Sequence, residues 1–134
     1  MADLGESLGG FEPPADEPNI HPQVDLEMTA EQTVIMKPDR AREVLFHDCP
    51  DPDAAAEHLR PMNPAAIGQT PKSVAWKGIP ASYVITTNDR ATAVSVQRRL
   101  SERSAQVYEI ASGHSSFLAV PEQVTKVITS AMVC

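Results

Sequence analysis

Three side chains in this sequence are of types that together move an acyl group. Ser7 stands in Gly5-Glu6-Ser7-Leu8-Gly9, a G-x-S-x-G pattern of the kind that presents a serine hydroxyl on a sharp turn between a strand and a helix. Asp89 follows a β-branched run in TTNDRAT, and His114 follows a second run in ASGHSSF. A histidine beside a serine takes its proton as the hydroxyl attacks a carbonyl, and a carboxylate on the far ring nitrogen orients the imidazole. Other readings remain open for each residue. Asn88-Asp89 is also an ordinary turn pair, a histidine in a loop is commonly a surface residue, and Ser7 fits a Gly-rich tail.

Such groups work only where backbone elements hold them. Residues 81–87 (ASYVITT) and 105–111 (AQVYEIA) read as strands, and the first is apolar on both faces, as in a parallel sheet covered on both sides. Between them Ala93, Val96 and Leu100 fall at helical spacing, with Arg98, Arg99 and Arg103 opposite, predicting a helix over much of 92–103. Pro121 opens a last helix to Val133, with Val124, Val127, Ile128, Ala131 and Met132 in one stripe. Strand, helix, strand, helix is a βαβα unit with an expected right-handed crossover. Asp89 and His114 then leave the carboxyl ends of neighbouring strands, where open α/β sheets place their chemistry.

The earlier part is less regular. Residues 11–32 carry four prolines and six acids with few apolar residues, which predicts loop or disorder. TVIM (33–36) reads as a short strand and PDRAREVLF (38–46) as a helix with Ala41, Val44 and Leu45 on one side. A second short helix is expected over 53–59 with Asp53 as its N-cap, then loop over 60–70. His47, Asp48 and Cys49 are all metal-capable. Consecutive residues rarely converge on one ion and no second cluster has zinc-site spacing, so no metal is expected and Cys49 is read as a cap residue.

Composition bounds the partners. The chain of 134 residues suits one domain. Its net charge of −7 is divided unevenly, with fourteen acids against four Lys or Arg in residues 1–60 and four against seven in 61–134. Neither part offers the concentrated basic face that nucleic acid requires. No apolar run approaches a membrane span, and two cysteines, Cys49 and Cys134, do not make a disulfide framework. A cytoplasmic setting without nucleic acid, membrane or cofactor is the expectation.

With Ser7, Asp89 and His114 in that order, the sequence resembles the α/β-hydrolase superfamily. The text WKGIPASYVITTNDRATAVSVQRRL is similar to the late segment of its small esterase and hydroxynitrile-lyase-like branch, with Trp76, Ile79, Pro80, Asp89 and Gln97 matching. SGHSSFLAVPEQVTKVI is similar to that branch's histidine loop and final helix, and PDRAREVLFHDCPDPDAAAEHLRP to the cap over its pocket. The resemblance implies an α/β class chain holding part of the α/β-hydrolase fold. Residues 1–32 would be the elbow remnant with an irregular loop, 33–75 a small helical cap region, and 76–134 the carboxy-terminal βαβα part. It implies Ser7 as nucleophile, His114 as general base, Asp89 as its orienting carboxylate, the Leu8 backbone N–H as an oxyanion donor, and a small-molecule ester as substrate. Gly5 and Gly9 would let the elbow's helix pass close to its strand.

The strands that precede the elbow in that family have no counterpart before Gly5, so truncation is expected to leave Ser7 displaced and ester turnover poor. The alternatives are a lyase on the same scaffold, or a non-catalytic remnant that binds a partner or itself through an open sheet edge.

Overall fold

The computed structural model describes residues 1–132, apart from the side chain of Leu8. Val133 and Cys134, at the end of the last expected helix, lie outside the described residues. Among these residues the α-helices and β-strands are, in chain order, α1 Pro22–Asp25, β1 Leu26–Met28, β2 Val34–Met36, α2 Pro38–Val44, α3 Pro52–Glu57, α4 Ala65–Gly68, β3 Ser82–Thr86, α5 Val94–Ser101, β4 Gln106–Ile110, α6 Ser116–Ala119 and α7 Pro121–Ala131.

The expected βαβα unit is present. β3 and β4 pair in parallel, with Ser82 opposite Gln106 and Thr86 opposite Ile110. Ile85 and Ile110 are buried in the sheet, and α5 covers one face with Ala93, Val96 and Leu100. α7 lies near β4 by its partly buried Val124, Val127 and Ala131. The other members of its apolar stripe face outward, Ile128 at 54% and Met132 at 78% exposure. Neither β3 nor β4 has a second strand neighbour among the described residues.

The segment read as loop or disorder departs from expectation. α1 and β1 form within it, and β1 pairs antiparallel with β2, Leu26 opposite Met36. One buried acid holds this hairpin to α2. Asp25 is fully buried, accepts from the His21 N–H at 2.7 Å and from Arg40 Nε at 2.6 Å, and its carbonyl accepts from the Lys37 N–H at 2.9 Å. Composition counted Asp25 as a solvating charge, whereas pairing makes it a structural one. Arg40 also pairs with Glu43. Met36, Ala41 and Phe46 form a second apolar cluster, with Leu26, Leu45, Cys49 and Leu59 packed against it.

Two local expectations are corrected here. The N-cap of α3 is Asp51, whose side chain accepts from the Ala54 N–H, and not Asp53. Pro52 takes the first helical position, which moves the cap one residue before it. Cys49 caps no helix; it packs against the Phe46 cluster, its thiol 3.9 Å from the Ser115 carbonyl oxygen.

Residues 1–20 run along α5 in the direction of the strands. The Met1 ammonium donates to the Leu100 carbonyl at 2.7 Å, and Arg103 grips the Met1 carbonyl and the Glu6 carboxylate. Phe11 then packs on Ala93, Val96 and Leu100 with the Arg99 guanidinium over its ring. Farther along, Glu17 and Asn19 accept from the Ser95 and Ala93 N–H groups, and the Ile20 N–H donates to Ala91.

Candidate active site

β3 ends at Thr86, and the turn after it puts Asp89 back under the sheet end, 5% exposed. A carboxylate so buried must be paired on all sides. Its oxygens accept from the Thr86 hydroxyl at 2.9 Å, Gln97 Nε2 at 3.1 Å, and the Ala91 and Thr92 N–H groups at 2.7 and 3.0 Å. Gln97 in turn bonds Thr86 and Thr92, which fixes α5 to β3 around the carboxylate.

β4 ends at Ile110, and its loop brings His114 Nδ1 to 3.1 and 3.2 Å from the two Asp89 oxygens. Because a carboxylate only accepts, Nδ1 carries a proton, and in a neutral imidazole that tautomer has Nε2 as the acceptor. Burial pushes the Asp89 pKa up, but the His114 ring and the Thr92 and Ala91 N–H groups outweigh it, and the net shift is below the ordinary value. The pair therefore has the polarity of a base and its orienting anion.

Ser7 is not brought to this pair. Its neighbour Glu6 is held by Arg103, beyond the carboxyl end of α5, whereas Asp89 precedes the amino end of that helix. Eight helical residues separate the two ends by roughly 12 Å. No hydrogen bond joins Ser7 to His114 or Asp89 among the described residues. Leu8, the expected oxyanion donor, begins a 3₁₀ turn, Leu8–Gly10, that goes with Ser7. Gly5, at φ +81°, makes a turn that other residues resist. Gly9 has the close approach expected of it, but against α4: a Cβ there would lie 3.0 Å from Ile67 Cγ2. The segment settles on the apolar side of α5, where Phe11 packs on Ala93, Val96 and Leu100.

Sequence reasoning missed the partners of the two loops. His47, Asp48 and Cys49, read as a metal-capable triplet with no metal expected and Cys49 as a cap, follow α2 and touch both. His47 Nε2 donates to the Asn88 carbonyl at 3.0 Å in the β3 loop. One Asp48 oxygen accepts from the Gly113 N–H at 2.6 Å and the Ser112 hydroxyl at 3.0 Å in the β4 loop. Among the described residues no group of three metal-ligating side chains converges. The only sequence signal was the glycine before His114. A Cβ at Gly113 would lie 2.6 Å from Asp48 Oδ1 and 2.7 Å from His47 Nε2. Gly113→Ala is therefore expected to lower stability by about 1–3 kcal/mol, as overpacking does, read as a drop in urea midpoint at constant slope.

A mostly apolar cavity of about 580 Å³ opens beside this loop, between α3 and α6. Phe46, Ala55, Leu59, Phe117 and Leu118 are among its lining residues, and Phe117 is 62% exposed.

Comparison with known proteins gives a consistent outcome. No family model matches the chain. It is 29% identical over 134 residues to the α/β hydrolase nvfD of Aspergillus novofumigatus, covering 96% of this chain and 52% of that protein. Among solved structures it is similar to the Arabidopsis methylesterase MES16, with 25% identity and a TM-score of 0.71 over 87% of this chain and 54% of the other. A pyrethroid hydrolase of Sphingobium faniae shares the fold at 19% identity and TM-score 0.72, over 96% and 56% of the two chains. The chain thus spans about half the length of the proteins it matches.

Proposed function

We propose, from the premise that this chain is a partial α/β-hydrolase of the esterase-like kind, that Asp89 and His114 are the acid–base pair of a serine hydrolase acting on small esters. The hydrogen bond from His114 Nδ1 to buried Asp89 carries the reading. It leaves Nε2 to take a proton from a hydroxyl or water attacking an ester carbonyl, and to return it to the leaving alkoxide. The cavity beside the loop is of a size that takes a small ligand, with apolar walls and few polar groups. Sparse cysteines support a reducing, cytoplasmic setting as part of the same reading. Among the described residues no helix is long and apolar enough to cross a membrane.

In the chain as given, Ser7 lies at the other end of α5, so the base acts on water and turnover of an activated short-chain ester is slow. His114→Ala and Asp89→Asn should each reduce that turnover roughly tenfold, below the usual range for a base with a positioned nucleophile. Ser7→Ala should leave it within about twofold, for the same reason. Turnover indifferent to His114→Ala would reject the acid–base role. Turnover abolished by Ser7→Ala would show that the serine reaches the base after all. A second reading, a non-catalytic accessory protein, is favoured by the two-stranded sheet with no further strand at either side among the described residues. Full-length chains sedimenting as dimers with no His114-dependent turnover would select it.

A further inference from the structure

The acid–base pair needs its histidine loop held, and the loop's own strand supplies one backbone tie, from the Ser112 N–H to the Ile110 carbonyl at 2.9 Å. Gly113 and Ser112 lie past the end of β4, and the loop contributes two donors that meet on one atom outside the sheet. That atom is Asp48 Oδ2, reached from Gly113 N at 2.6 Å and from Ser112 Oγ at 3.0 Å. The adjacent His47 ties the same segment to Asn88, the residue before Asp89, at 3.0 Å. The Ser112 carbonyl also accepts from the Asn88 N–H at 3.0 Å. A short run after α2 thus sets the spacing of the two loops whose next residues are Asp89 and His114.

We infer that Asp48 is a positioning residue for His114: its carboxylate fixes the Gly113 backbone and thereby the imidazole's approach to Asp89. The inference rests on the acid–base reading above, but it is tested without turnover. Both donors converge on one oxygen, so an asparagine with its carbonyl in that place keeps both hydrogen bonds, whereas an alanine loses both. Glycine at 113 makes the contact possible, because any side chain there meets Asp48 and His47.

The experiment is ¹⁵N NMR of the full chain labelled at histidine, with His114 assigned by the signals lost in His114→Gln. The wild-type chain is expected to show His114 as the Nδ1–H tautomer, with its proton shifted downfield by the Asp89 carboxylate. Asp48→Asn should retain that signal. Asp48→Ala should lose it, with the tautomer ratio moving at least severalfold toward Nε2–H, while the β3 and β4 amide signals report an intact sheet. An unchanged His114 signal in folded Asp48→Ala would overturn the inference. Equal loss in Asp48→Asn and Asp48→Ala would overturn it too, since the effect would then follow charge and not the two hydrogen bonds. If Asp48→Ala does not fold, Ser112→Ala with Gly113 intact provides the graded case, and an unshifted His114 signal there counts against the inference. A wild-type chain lacking the Nδ1–H signal would remove the pair itself and the inference with it. Absent ester turnover with the expected NMR series would reject only the proposed function.

Discussion

Asp89→Ala is expected to cost about 3–5 kcal/mol, the scale for removing one member of a buried charged network. Truncation strands the Ala91 and Thr92 N–H groups and takes one partner each from the Thr86 hydroxyl, the Gln97 amide and the His114 ring. For a small chain of ordinary marginal stability the loss approaches the whole folding free energy. The check is equilibrium urea unfolding followed by far-UV circular dichroism. Asp89→Asn should be milder, because an amide oxygen still accepts from the two backbone N–H groups. A midpoint unchanged in Asp89→Ala would mean that the network does not hold the turn.

The same residue sets a pH limit. Its folded pKa lies below the ordinary 3.8, and that of Asp25 is lowered likewise. Depressed folded pKa values mean that the unfolded chain binds protons first. The stabilisation is therefore complete above about pH 4 and disappears as pH falls through the folded values. Glu6, held by Arg103 and brought down from 4.5 to about 2, contributes in the same sense between those two values. Unfolding should accordingly set in between about pH 4 and pH 2.

Asp25→Ala is the second large effect, expected at about 3 kcal/mol. It removes the acceptor for the His21 N–H and for Arg40, and the hairpin β1–β2 loses its tie to α2. Arg40 is about one-third exposed and can turn to water, so the cost is set at the lower edge of the range for buried pairs. The Asp25 burial is first a penalty, which the His21 N–H and Arg40 outweigh. The readout is a fall in thermal midpoint together with lost antiparallel amide contacts between Leu26 and Met36. A variant that keeps both would show that the apolar cluster alone fixes the hairpin.

Asp25 also marks where the sequence stopped being readable. β-Branched and apolar runs revealed β3 and β4, and helical spacing α5 and α7, because there each element's own residues carry its signal. The proximity of Asp89 and His114 followed from the same pattern, since neighbouring parallel strands release their loops at one end. By contrast, α1 and β1 are four and three residues long and held by one buried acid from a segment rich in acids. Nothing in composition separates Asp25 from its exposed neighbours. The His47–Cys49 run was equally silent, because its partners lie more than forty residues away in loops that only the folded sheet brings near. Gly5 to Gly9 was readable as a motif but not as a place. A turn sequence specifies local backbone, and its position in the fold is set by the elements packed around it.

The run of residues 1–20 along α5 has a consequence for populations. For Ser7 to reach His114, Phe11 must leave Ala93, Val96 and Leu100, and Glu6 must release Arg103. Exposing a buried phenylalanine alone costs about 1.5–3 kcal/mol, so the shifted arrangement would hold roughly 1–10% of molecules. A reaction that proceeds only from that minority is slowed by the same fraction before any chemistry begins. Phe11, which packs on α5, thereby becomes the side chain that regulates how often the serine is free to travel.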